Sequence, residues 1–157
     1  MTRSNLDQID RRLLAELQEE GRATNVELAQ RVGLTAPPCL RRVRALEDSG
    51  VIRGYHADVD PARLGFAITV FALVSLRSQA EDALRQFEEH VGTLPEVREC
   101  HMLNGEIDFI LKIVSRDLQS FQEFLTSKLT PAPNVASVKT SLTIRTSKQL
   151  PGVPMDR

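Results

Sequence analysis

The sequence predicts an α+β fold made of two unlike parts. Near the N-terminus, apolar residues recur at steps of three and four, which is typical of helices that bury one face. From residue 67, segments that alternate every second residue, as half-buried strands do, are interleaved with two more helical segments. We therefore expect domains over 1–54 and 66–146, joined by a linker over 55–65 that contains proline and glycine, and a tail over 147–157.

The composition is that of an ordinary globular chain. Of 157 residues, 41% are hydrophobic and 26% are charged, and the formal net charge is −1. This balance argues against a protein that coats nucleic acid through its overall charge. No apolar run approaches the ~18 residues of a membrane span. The N-terminus lacks the apolar core of a secretory signal, so we expect no membrane partner and a cytoplasmic location. Cys39 and Cys100 lack C-x-x-C spacing, which favours reduced thiols.

Three helices are predicted in the N-terminal domain. The first follows a cap at Asp7 and ends before Gly21. The second begins with Thr24 and Glu27 at capping-box spacing and ends at Gly33. The third follows after a very short connection, which is the arrangement of a helix-turn-helix, winged-helix-like domain.

The third predicted helix, residues 35–48, has a basic outer face. Thr35 is a suitable N-cap, and the two prolines that follow lie in the first turn, where a backbone N–H has no intrahelical partner. On a helical wheel Arg41 points away from the side expected to pack. That packed side consists of Ala36, Cys39, Leu40, Val43 and Leu46. Residues 31–53 carry a net charge of +3, so any attraction to phosphate should be local to this segment.

A rigid first turn followed by arginines is typical of a helix that reads the major groove. The alternative is a small helical bundle whose arginines are merely solvated. The predicted contacts to base edges are Thr35, Ala36, Pro38 and Arg41. The predicted contacts on or near the DNA backbone are Asn25, Arg42 and Arg44. For Asn25, an ordinary helix cap is the alternative interpretation.

The second domain has the predicted order β-α-β-β-α-β. The strands are expected over 67–76, 97–103, 107–114 and 135–144. With right-handed crossovers this order folds as a ferredoxin-like, four-stranded antiparallel sheet with both helices on one face. Strand 67–76 is apolar on both sides, so the uncovered sheet face predicts self-association. The tail KQLPGVPMDR has little to pack and is expected to be loose.

Two long stretches carry a resemblance to a known family. LDQIDRRLLAELQEEGRATNVELAQRVGLTAPPCLRRVRALEDSGVIRGYHADVD resembles the DNA-binding half of the Lrp/AsnC (feast/famine) family of transcriptional regulators. PEVRECHMLNGEIDFILKIV and PNVASVKTSLTIR resemble its ligand-sensing half, so the resemblance covers about residues 5–146. It implies double-stranded DNA as a partner and a homodimer that commonly assembles to an octamer. It also implies an amino acid or related small metabolite as effector, bound where sensing domains of neighbouring dimers meet.

The family's sensing signature, a glycine with an aspartate three residues later, is matched by Gly105 and Asp108. Gly105 suits a tight turn that a ligand backbone approaches closely, and Asp108 could accept hydrogen bonds from a ligand ammonium group. Asn104 and Ile107 stand where the family often has threonine and an aromatic residue, so the effector cannot be copied from a relative. The predicted effector-binding residues are Met102, Leu103, Asn104, Gly105, Glu106 and Asp108. For Glu106, a solvated turn residue is the alternative.

The sequence gives little support for catalysis. His101 follows Cys100 directly, and neighbours on a strand point to opposite faces, so they do not form a ready dyad. A metal site formed by His101, Glu106 and Asp108 is a weak alternative. We therefore predict no catalytic residues, no metal and no cofactor other than the effector. Two rival functions are an architectural DNA-binding protein without effector and a small-molecule-binding enzyme domain, because fold alone does not decide function.

Overall fold

The structure, a computed structural model, describes residues 6–155. It divides into two compact units. Within the described residues, the first unit contains those up to Asp58 together with those from Lys148, and the second is Val59–Ser147. The division therefore falls inside the segment predicted as a linker, and the tail belongs to the first unit. In the part of the chain that is described, no helix is long and apolar enough to cross a membrane.

The first unit contains three helices, α1 (Gln8–Glu19), α2 (Asn25–Val32) and α3 (Ala36–Asp48). The predicted cap of α1 at Asp7 and the predicted capping box of α2 are both confirmed, and in the structure Asp7 and Asp10 form a second capping box that was not predicted. The second helix ends at Gly33, whose φ is 75°. Glycine adopts this left-handed conformation with little strain because it has no Cβ. The core of the unit is formed by Leu13, Leu28, Ala29, Val32, Cys39, Val43 and Leu46.

Two details of α3 differ from the prediction. Thr35 occupies the N-cap position, but its side chain makes no capping hydrogen bond. Leu40, expected on the packed side, is 38% exposed because it lies at the edge of the apolar stripe rather than at its centre. The proline start is confirmed, with Pro37 and Pro38 in the first turn.

The second unit is a four-stranded sheet with two helices. Its elements are β1 (Ile68–Leu76), α4 (Glu81–Gly92), β2 (Val97–Met102), β3 (Phe109–Ser115), α5 (Leu118–Phe124) and β4 (Val135–Leu142). The strands are antiparallel and lie in the order β2-β3-β1-β4, which confirms the ferredoxin-like topology. The predicted final helix is not α-helical throughout, because Leu125–Leu129 forms a π-helical turn after α5. A ring nitrogen of His90 lies 3.0 Å from the Lys128 carbonyl oxygen of that turn.

The two faces of the sheet differ. Alternate residues of β1, including Val70 and Val74, are buried in a core shared with Phe87 of α4 and Phe121 of α5. The other face carries apolar residues that are partly exposed. They are Phe71 and Leu73 of β1 and Ile110 and Val114 of β3, and the register pairs Leu73 directly with Ile110. The register also pairs Cys100 with Leu111 and His101 with Ile110, so these two neighbours lie on opposite faces as predicted.

Candidate DNA-binding face and effector loop

Two of the three arginines of α3 lie exposed on its outer face. Arg41 and Arg44 are exposed, and within residues 6–155 neither forms an ion pair or a side-chain hydrogen bond. Of the other predicted base contacts, Thr35 is exposed, whereas Ala36 and Pro38 are half-buried at the same end of the helix. The start of α3 and its basic face are therefore open to solvent.

Arg42 lies in a different environment. Its Nη1 donates to Asp7 Oδ2 at 2.7 Å and to Asp10 Oδ1 at 2.8 Å, both at the start of α1. The hydrogen bond from the Asp10 backbone N–H, followed by that from Arg42, lowers the pKa of Asp7 below its usual value. The two carboxylates in turn raise the pKa of Arg42. This ion pair was not predicted, because its partners are far apart in sequence.

Asn25, the first residue of α2, also bonds within the unit. Its Nδ2 donates to the Ala36 carbonyl oxygen at 2.8 Å, which links the starts of α2 and α3. The other side-chain atom, Oδ1, is buried and has no hydrogen-bond partner among the described residues. The cap of α2 is Thr24, so the interpretation of Asn25 as the cap is wrong.

A contact between α3 and the segment that follows it was missed by sequence reasoning. The Tyr55 hydroxyl donates to Glu47 Oε1 at 2.8 Å. Partial burial of the phenol, together with this hydrogen bond to a carboxylate, raises the pKa of Tyr55 to about 12. The segment after α3 is thereby attached to the end of the helix.

The predicted effector residues lie at the end of β2, which is Met102, and in the loop that joins β2 to β3. Met102 is 61% exposed and Leu103 is 40% exposed, and the three residues after them are exposed as well. The loop is closed by a 2.8 Å hydrogen bond from the Leu103 N–H to the Asp108 carbonyl oxygen. Gly105 does not have a positive φ, and a Cβ placed there would meet nothing within 4 Å. The backbone at Gly105 would therefore accept another residue, and the expected close approach of a ligand to this glycine stays a prediction.

Asp108 is the buried end of this loop. Its Oδ2 accepts a 2.6 Å hydrogen bond from the Leu76 N–H, and its Oδ1 accepts one of 2.9 Å from Gln79 Nε2. Both oxygens thus have partners in the chain, at a residue that is only 8% exposed. The carboxylate anchors the loop to the end of β1, which the sequence did not suggest.

The structure offers little else that resembles a site. Among residues 6–155, no three His, Cys, Asp or Glu side chains are grouped so that they could hold a metal ion, so His101, Glu106 and Asp108 do not form one. A shallow depression of about 300 Å³ lies between α4 and β2 and does not involve the effector loop. It is lined by Glu88, Val91, Gly92, Val97, Arg98, Glu99 and Cys100.

Both halves of the chain match known domain families. Residues 6–53 match a winged helix-turn-helix DNA-binding domain, and residues 69–153 match the Lrp/AsnC ligand binding domain. The chain belongs to the Lrp/AsnC family of transcriptional regulators. As a member of the Lrp/AsnC family it is a DNA-binding regulator, and the open basic face of α3 and the loop after β2 lie in its DNA-binding and ligand-binding domains respectively.

Curated relatives match over nearly their full length. The leucine-responsive regulatory protein of Rhizobium meliloti is 49% identical over 148 residues, covering 94% of this chain and 95% of that protein. The Bkd operon transcriptional regulator of Pseudomonas aeruginosa is 42% identical, with 90% and 93% covered.

Solved structures of the family have the same fold. A transcriptional regulator from Neisseria meningitidis, solved as a complex with L-Met, is 37% identical with a TM-score of 0.91, covering 96% of this chain and 97% of that one. An AsnC family regulator from Agrobacterium tumefaciens is 30% identical with a TM-score of 0.88, covering 95% and 97%.

Proposed function

We propose that this Lrp/AsnC regulator reads DNA with the start and outer face of α3. Thr35, Ala36, Pro38 and Arg41 contact base edges, and Arg44 contacts a phosphate. The observation that carries this assignment is that Arg41 and Arg44 have no partner within residues 6–155, so their full charge is available to DNA. We leave Asn25 and Arg42, predicted near the backbone, out of this set because their side chains bond within the unit.

A dimer would present two such helices to successive major grooves. The operator is then expected to be roughly two-fold symmetric, with half-sites about one helical turn apart. The apolar residues on the open sheet face, among them Phe71 and Leu73, support pairing of two chains there. Assembly of dimers into an octamer and a cytoplasmic location are parts of the same proposal.

We further propose that an amino acid binds at the loop from Met102 to Asp108. The regulator from Neisseria meningitidis was solved with L-Met, which makes an amino acid the effector class to test first. The exposure of the loop supports this place, and a ligand can approach the Gly105 backbone because no described atom lies within 4 Å of where a Cβ would stand. Contact of Asp108 with a ligand ammonium group stays a prediction, and such a ligand would share Oδ1 with the Gln79 amide.

The effector would act by changing how dimers assemble and therefore which operators the protein binds. A coupling free energy of about 1–3 kcal/mol between effector and DNA is typical of such regulators. No catalytic step or metal is part of this mechanism.

The test is selection of genomic fragments by the purified full chain, with and without a mixture of the protein amino acids. We expect enrichment of a few fragments that share a two-fold-symmetric motif, and a change in their salt resistance when the mixture is present. Enrichment that is the same with and without the amino-acid mixture would support an architectural role. Retention no better than that of random DNA would contradict the proposed reading of DNA.

A further inference from the structure

The ion pair of Arg42 with Asp7 and Asp10 joins α3 to α1, and we call it the Arg42 latch. Its geometry differs from that of an arginine whose guanidinium is free to bind DNA. Both hydrogen bonds of Arg42 come from the same atom, Nη1, and lie at 2.7 and 2.8 Å from two different carboxylates. The Arg42 side chain is 33% exposed, and that of Asp10 is 17% exposed. The contact with Asp10 is therefore partly shielded from solvent, whereas the Asp7 side chain is 50% exposed.

The two carboxylates are themselves fixed by the capping box of α1. Asp7 Oδ1 accepts the Asp10 N–H at 2.8 Å, and Asp10 Oδ2 accepts the Asp7 N–H at 3.2 Å. Each aspartate thus uses one oxygen to start α1 and the other to hold Arg42. All four carboxylate oxygens have partners, so the capping box and the ion pair form one connected hydrogen-bond network.

This arrangement is poor for binding phosphate. The two carboxylates outnumber the one guanidinium charge, so the cluster of these three side chains has a net charge of −1 and disfavours a phosphate placed directly on Arg42. Arg41 and Arg44, on the same helix, have no such partners among the described residues. The three arginines of α3 therefore fall into two chemically different groups.

The start of α3 is held by a second, separate contact. Asn25 Nδ2 donates to the carbonyl oxygen of Ala36, the first residue of α3, at 2.8 Å. One contact ties the beginning of α3 to α2, and the Arg42 latch ties its middle to α1. These two polar contacts act at different points along α3 and add to the packing of its buried residues Cys39, Val43 and Leu46 in holding the direction of the helix.

We propose that Arg42, held by Asp7 and Asp10, is a positioning residue that sets the angle at which α3 presents Arg41 and Arg44 to DNA. This inference rests on the proposed reading of DNA by α3. It predicts that the aspartates, although negative, favour DNA binding, because they hold the helix in its reading position.

The test compares Asp10→Asn with Asp48→Asn, which removes the same charge from the exposed C-terminal end of α3. The probe is a duplex selected by the wild-type chain from random-sequence DNA. If Arg42 contacted phosphate, Asp10→Asn would strengthen binding, since it removes repulsion and frees the guanidinium. If Arg42 positions α3, Asp10→Asn weakens specific binding, by about tenfold, whereas Asp48→Asn does not.

Salt dependence provides a second readout. A lost phosphate contact makes the plot of log affinity against log salt less steep by about 0.9 per contact. We expect that change for Arg44→Gln, and a slope equal to that of the wild type for Arg42→Gln despite its weaker binding. Circular dichroism at the assay temperature establishes that each variant is folded. Asp7→Asn, which keeps the less exposed carboxylate, replaces Asp10→Asn if the latter is unfolded.

The outcomes separate the two proposals. Failure of the wild-type chain to select any sequence overturns the DNA-reading function and the positioning role with it. Selection by the wild type, together with unchanged or tighter binding by the folded aspartate variant, overturns the positioning role alone. A slope change in Arg42→Gln as large as that in Arg44→Gln overturns it as well.

Discussion

The Asp108 carboxylate accepts a hydrogen bond of 2.6 Å from the backbone N–H of Leu76, which joins the end of the effector loop to the end of β1. The two residues lie 32 positions apart in the chain. The same carboxylate also holds the Gln79 side chain, just beyond β1. The loop proposed to bind the effector is therefore attached to the central sheet at its buried end and exposed along the rest of its length.

Removing this anchor should destabilise the sensing unit. Asp108→Ala leaves the buried Leu76 N–H without an acceptor, which costs about 1–3 kcal/mol. Asp108→Asn should cost less, because the Gln79 amide can turn over to accept from the new NH₂ group. Urea unfolding measures both changes, and Glu106→Ala at an exposed position of the same loop is the control, expected within ~0.5 kcal/mol of the wild type. Equal stability of all three variants would contradict the anchoring role.

Gly105→Ala should abolish the response to the effector while leaving the stability of the protein nearly unchanged. The added methyl group meets nothing within 4 Å and the backbone φ is not left-handed, so the free energy of unfolding should change by less than ~0.5 kcal/mol. If an amino acid approaches this surface, the variant loses the effect of amino acids on DNA binding. Gly92→Ala is a matched control outside the loop, since its Cβ also meets nothing within 4 Å. An intact response in Gly105→Ala would move the effector site elsewhere.

Substitution of Arg41 and substitution of Arg44 should affect DNA binding in different ways. Arg41→Ala is expected to relax sequence preference, because a bidentate contact to a base contributes about 1–3 kcal/mol of discrimination. Arg44→Ala is expected to weaken binding to all sequences alike and to flatten the salt slope by about 0.9. Competition with specific and random duplexes over a range of salt measures both effects. An equal loss of preference in the two variants would show that this division of roles is wrong.

Tyr55 provides a spectroscopic probe of the segment after α3. The chain has one tyrosine and no tryptophan, so the ultraviolet absorbance of phenolate reports this residue alone. Its pKa should be about 12 in the folded protein, against an ordinary 10.0. Because the folded value is the higher one, the stabilisation is complete below pH 10.0 and is lost as the pH rises towards 12. Glu47→Gln should lower the pKa, and a wild-type pKa near 10.0 would contradict the contact with Glu47.

The C-terminal tail, expected to be loose, is attached to α1. The Gln18 amide donates from Nε2 to the Val153 carbonyl oxygen at 3.0 Å and accepts the Val153 N–H through Oε1 at 2.8 Å. We expect the Val153 N–H to be protected from hydrogen exchange in the wild type and to exchange as in a free peptide in Gln18→Ala. Gly152→Ala should act alike, because its Cβ would overlap the Gln18 amide. Gln30→Ala, which removes an exposed amide from α2, is the control, and protection unchanged in Gln18→Ala would contradict the attachment.

The sequence predicted the order of the elements, the cap at Asp7, the capping box at Thr24, the end of α2 at Gly33 and the sheet topology. The caps and helix ends depend on residues three or four apart, and the strands on the alternation of apolar residues, so their causes lie within one short segment. The sheet topology followed from the order of the elements and the right-handedness of their crossovers. The exposure of Arg41 followed from the same helical period.

Only the tertiary structure decided which polar side chains remain free. Arg42 looks like Arg41 and Arg44 in sequence, yet it is bound to Asp7, 35 positions away. Asp108 bonds across 32 positions, and Gln18 bonds across 135. Such contacts depend on how separate elements pack against each other, and this packing cannot be predicted from a local sequence pattern. The sequence therefore determined the elements and the family of this protein, whereas the packing determined which residues hold its sites in place and which remain available to bind.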